Sequence, residues 1–130
     1  MPAEHFPVVF VVQLPWPDRN TGQAVRDFTP AERYGKLKIL LAHDHGVTDD
    51  LADDLLDAGL KAWHPGDFLL CSGHPVAIGV ATAIAASRGF PVRLLVWSGR
   101  TRAYDVVTAD PRSWEDPAVR KVAVGRAGTL

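Results

Sequence analysis

Two short stretches hold most of the residues able to do chemistry, His43-Asp44-His45 and Cys71-Ser72-Gly73-His74. The first sets two imidazoles around a carboxylate, and the second sets a third imidazole beside a hydroxyl and a thiol. Zinc takes three or four N, S or O donors, and a catalytic zinc keeps one position open for water. His43, His45 and His74 would supply three donors if their loops met, with Cys71 as a fourth candidate. The competing reading is three polar loop residues facing solvent, because no CxxC or HExxH pair accompanies them.

The second stretch also suits an anion. If a helix begins at Pro75, then Ser72, Gly73 and His74 sit at its N-terminus, where unpaired N–H donors and the helix dipole stabilise a phosphate or carboxylate. The glycine signature is sparse: one glycine stands where dinucleotide folds use three, GxxxxGK[ST] is absent, and Pro75 brings no donor. Nucleophilic attack by Ser72 or Cys71 with His74 lacks a GxSxG elbow, and neighbours on one turn seldom face each other in attack geometry. No catalytic residue is assigned. Arg100 and Arg102 stand beside Trp97 and Tyr104, a combination found at interfaces and nucleic-acid surfaces, with a solvated hairpin as the simpler reading.

Residues 67–90, DFLLCSGHPVAIGVATAIAASRGF, place the second stretch. Residues 67–71 are a short apolar run, residues 75–87 are rich in Ala, Ile and Val, and Gly89 stops the helix, so Ser72-Gly73-His74 is a strand-to-helix turn. Residues 36–42 (KLKILLA) form a strand that delivers the chain into His43, and residues 49–63 form a helix after Thr48. Its apolar stripe is read as Leu51, Leu55, Ala58 and Ala62, widened by Leu56 and Leu60. Residues 7–14 are a β-branched run ended by Pro15-Trp16-Pro17, followed by a turn at Asn20-Thr21-Gly22 and a short strand around 23–28. Thr29-Pro30-Ala31-Glu32 has the form of a capping box opening a short helix before Gly35. Residues 91–97 and 102–109 read as strands joined by a hairpin turn at 98–101.

Strand, helix, strand repeats call for parallel pairing with right-handed crossovers. The expected fold is a small Rossmann-like α/β sheet of two or three layers, with strands 36–42, 67–71 and 92–97 as a parallel core and an antiparallel hairpin at one edge. The pairing of the first strand is open. Residues 1–110 are expected to form a single α/β domain and residues 111–130 a partly ordered tail. In such sheets function gathers at the carboxyl ends of the strands, which is where both stretches fall. If both crossover helices share a face, the other face needs cover from the first loop, the tail or a second subunit, so a homodimer is an expected partner state.

Composition limits the rest. The 130 residues hold one cysteine, which excludes an internal disulfide and suits a reducing compartment. The apolar core of the N-terminus is only residues 8–12, too short for a signal peptide or membrane span. Net charge is −1, against a general nucleic-acid footprint. Residues 1–65 hold 6 basic and 10 acidic residues and 66–130 hold 8 and 5, giving −4 and +3.

The motif order resembles a group of short uncharacterised proteins encoded by tailed bacteriophages. The resemblance spans residues 7–109 and rests on Val11-Val12-Gln13, Thr21-Gly22, Thr29-Pro30-Ala31 with Tyr34-Gly35, the strand from Asp67, the helix start Pro75-Val76-Ala77 and the strand ending at Trp97. In that group an acidic or amide residue often stands at His74, and a Pro and Gly turn replaces His43-Asp44-His45. The resemblance implies a phage or prophage origin, expression in the host cytoplasm and an accessory role. The expected function is non-catalytic binding of a host or phage macromolecule, or of a small anionic ligand. The alternatives are a small metal-dependent hydrolase or phosphoester-processing enzyme, and a structural role in the virion; no cofactor is assigned.

Overall fold

Val8, Val9, Val11 and Val12 put branched side chains on both faces of one strand, and a strand apolar on both sides belongs inside a sheet. That strand, β1 (Val8–Gln13), is the centre of the protein. The computed structural model describes residues 6–22, 27–48 and 50–114. After β1 come a 3₁₀ turn (Thr29–Tyr34), β2 (Lys36–Leu41), α1 (Asp50–Gly59), β3 (Phe68–Leu70), α2 (Pro75–Ser87), β4 (Val92–Ser98), β5 (Ala103–Ala109) and one helical turn, α3 (Pro111–Trp114). The strands form one sheet in the order β2-β1-β3-β4-β5, parallel except for β5, which runs antiparallel to β4. This is the small α/β fold with an edge hairpin that the strand and helix pattern implies.

The strand order settles the pairing of the first strand, which the sequence leaves open. The strands ending before His43 and before Ser72 are not neighbours: β1 lies between them, with Val9 in register with Leu37 on one side and Phe68 on the other. The chain moves outward from β1 to β2, then crosses back over β1 to β3, so the direction of winding reverses between β1 and β3.

The two faces are covered differently. α1 and α2 share one face, where Leu56, Leu60, Trp63, Ala77, Ala81 and Ala85 pack with Phe10, Val12 and Leu69. The 3₁₀ turn covers the other, where fully buried Ala31 meets Val9, Val11, Phe68 and Leu70. The Tyr34 hydroxyl donates to the Tyr104 carbonyl (3.1 Å) and its ring packs on Phe68 (5.3 Å between centroids). The first connection therefore supplies cover that a second subunit would otherwise have to provide.

α1 packs on the residues expected to widen its stripe, Leu56 and Leu60, and not on the stripe's own residues. Ala52, Leu56, Leu60 and Trp63 are buried, whereas Leu51, Leu55, Ala58 and Ala62 are exposed. Both series have helical spacing, and contact with the sheet selects between them. The capping box is also absent: the segment is 3₁₀, Phe28 stands at its N-cap, and the Thr29 hydroxyl donates to the Asp27 carboxylate instead.

The amino ends of the strands are tied together by Asp67, which is fully buried. Its carboxylate accepts the Val8 N–H (2.9 Å) and the His64 N–H (2.8 Å), joining β1 to the turn that enters β3. On the helix side, Arg88 meets Asp57 (2.6 Å) and links α2 to α1. No helix among the described residues is long and apolar enough to cross a membrane. Most of the short strand expected around 23–28, and the tail from residue 115 on, lie outside the described residues.

Candidate functional site

Gln13 ends β1 and is buried, 4% exposed. Its Nε2 donates to the carbonyls of Ala42 (3.1 Å) and His45 (3.0 Å), and its Oε1 accepts the His74 N–H (3.0 Å). One side chain from the central strand therefore fastens the loop after β2 to the loop after β3. Backbone bonds reinforce it: the Gln13 N–H donates to Ser72 O (3.2 Å) and the Leu14 N–H to Leu41 O (3.0 Å). Gly73 sits against Gln13 with φ +97°, and a Cβ there would overlap the Gln13 Cβ. Only glycine meets both demands.

Three loops thus surround an open cleft of about 620 Å³ at the carboxyl ends of β1, β2 and β3, lined by Gln13–Trp16, His43–Val47 and Cys71–His74. The reversal of winding between β1 and β3 puts it at a topological switch point, where open α/β sheets bind ligands. Trp16, between two prolines, stands 64% exposed on the rim in a T-shaped contact with the His43 ring (4.8 Å between centroids, 68° between planes). The chain then closes in a turn around Asp18, whose carboxylate accepts the Asn20 N–H (2.7 Å).

The sequence-predicted residues share this cleft without forming the expected clusters. His43 packs on Trp16, His45 Nδ1 lies 3.1 Å from the Gly46 carbonyl, and His74 caps α2, its Nδ1 accepting the Val76 N–H (3.0 Å). Among the described residues no group of three or more His, Cys, Asp or Glu is placed to hold a metal ion. Of the donors named for an anion, the His74 N–H goes to Gln13 and the Ser72 N–H to the Leu70 carbonyl (2.9 Å), and the neighbouring Val76 N–H is taken by the His74 ring. The Gly73 N–H has no partner among the described residues. Ser72 is 4% exposed and lines the cleft, and its hydroxyl makes no hydrogen bond among the described residues. Neither Ser72 nor Cys71 is hydrogen-bonded to an imidazole there. Burial pushes the half-buried Cys71 thiol above its ordinary pKa, which weakens it as a nucleophile.

Gln13 and Trp16 were not candidates in the sequence. A glutamine closing a valine run reads as a solvent-facing strand end, and the one signal was the Pro-Trp-Pro context that holds an aromatic outward. The Trp97 and Tyr104 rings pair with each other across β4 and β5 (5.1 Å), Tyr104 is 3% exposed, and the hairpin arginines Arg100 and Arg102 are exposed.

Fold and cleft together define a small doubly wound α/β protein with a preformed cleft at its switch point. The profile of the Phage Pam3 gp32-like protein family matches residues 7–111, from the entry of β1 to the start of α3, and the chain belongs to that family. No curated protein and no solved structure matched the chain.

Proposed function

We propose that this member of a phage family is an accessory protein of the non-catalytic binding type, acting in the host cytoplasm, which holds a small ligand in the cleft between the loops after β1, β2 and β3. The observation that carries this reading is the division of labour in the cleft. The Gln13 amide is spent on holding the loops, and the three imidazoles are engaged one at a time. The groups left over include the Ser72 hydroxyl, the Gly73 N–H, the Asp44 carboxylate and the exposed Trp16 indole, which can recognise a ligand and are not joined as nucleophile, base and orienting group. The cleft volume falls within the ~300–1,000 Å³ usual for small-molecule sites. The unpaired Cys71 fits a reducing compartment.

Native mass spectrometry of protein purified from bacterial cytoplasm tests this. The expected spectrum carries extra mass that leaves on denaturation and is missing from Trp16→Ala. A bound zinc ion, together with p-nitrophenyl phosphate hydrolysis lost in His74→Ala, would replace the binding reading with the metal-dependent hydrolase.

We further propose that copies associate through β5. At the opposite edge, β2 carries Lys36 and Lys38, charges that discourage strand addition. β5 has no lysine or proline and leaves Val106 and Val107 43% and 49% exposed.

A further inference from the structure

The uncommitted groups in the cleft narrow the ligand class, and the inference drawn here rests on the binding reading above. Trp16 presents an open indole at the rim, a surface on which a flat ring stacks. Deeper in, the Ser72 hydroxyl can donate and accept, and the Gly73 N–H can donate. Asp44 on the loop after β2 is exposed, and its carboxylate can accept two hydroxyl protons from a vicinal diol. None of the lining residues is lysine or arginine, so a phosphate in this cleft would face a carboxylate without a permanent cation to offset it.

We infer that the cleft receives an uncharged ribonucleoside, with its base on Trp16, its ribose diol on Asp44 and a remaining polar edge on Ser72 and Gly73. This departs from the anionic ligand that the helix N-terminus alone suggested, because two of the donors there are already taken.

Calorimetric titration and tryptophan fluorescence with adenosine, guanosine, cytidine and uridine, their 2′-deoxy forms, their 5′-monophosphates and inorganic phosphate test the inference. At least one ribonucleoside is expected to bind saturably and quench fluorescence, and Trp16→Ala to lower its affinity by about tenfold or more. The 2′-deoxy form is expected to bind about tenfold more weakly in the native protein and equally in Asp44→Asn, since the contact removed is a hydrogen bond to a charged group. Trp16 and Asp44 are exposed, so both variants are expected to keep the native unfolding midpoint. Tighter binding of the monophosphate or of phosphate alone would overturn the uncharged ligand, and so would the absence of binding by all four nucleosides. If nucleosides fail while a different retained mass still disappears in Trp16→Ala, the nucleoside class falls and the binding cleft stands.

Discussion

Cys71 shows at the scale of one residue how place decides chemistry. It stands near Ser72 and His74 in sequence, the neighbours a nucleophile calls for, yet burial holds its thiol above the ordinary range. A raised folded pKa favours the neutral thiol, so the stabilisation is present below the unfolded pKa and is lost as pH rises through the folded value. Alkylation by iodoacetamide between about pH 7 and 9, where a free thiol of pKa ~8.5 ionises, is therefore expected to lag free cysteine. Unfolding in urea should restore the rate, and mass spectrometry over time follows both; equal rates for folded protein and free cysteine would contradict the burial argument. The loop residues of the site were legible because His, Ser and Asp between two apolar runs stand out. Gln13 was not, because its purpose depends on two loops that are 29 and 61 residues away in sequence.

At the scale of elements, residues 67–90 were read correctly because each signal agreed: an apolar run too short for a helix, proline at the first helical position of α2, and Gly89 past its end. α1 was harder to read. Two interleaved apolar series run along it, and periodicity gives each the same claim to the core. Leu56→Ala is expected to cost about 2–5 kcal/mol, the range for emptying a buried leucine site. Leu51→Ala and Leu55→Ala are expected to stay within about 0.5 kcal/mol, as exposed positions do. Urea unfolding midpoints of the three variants decide the matter; the reverse ranking would return the helix to the stripe first read from the sequence.

At the scale of the whole molecule, fold class followed from the alternation of strands and helices, while strand order did not. Nothing local in residues 8–13 says that this strand sits between β2 and β3; its apolar faces say only that it is interior. The order matters twice. It creates the switch point where the cleft lies, and it leaves β2 and β5 as the edges, one guarded by lysines and one not. Size-exclusion chromatography with light scattering is expected to give twice the 14.1 kDa chain mass, and Val106→Lys to return the single-chain mass. A native protein that elutes as one chain at every concentration would remove β5 as an association surface.

The contact between Gln13 and Gly73 also bears on how this family changes over time. A Cβ at residue 73 would overlap the Cβ of residue 13, an atom that every residue but glycine carries, and φ at 73 is +97°, so glycine is required there whatever side chain stands at 13. Glycine at 73 is therefore expected to persist even in lineages where the amide at 13 is replaced, whereas the amide itself can be exchanged once another group holds the loops. Variation at 13 over an unvaried glycine at 73 is the pattern to look for in the family tree.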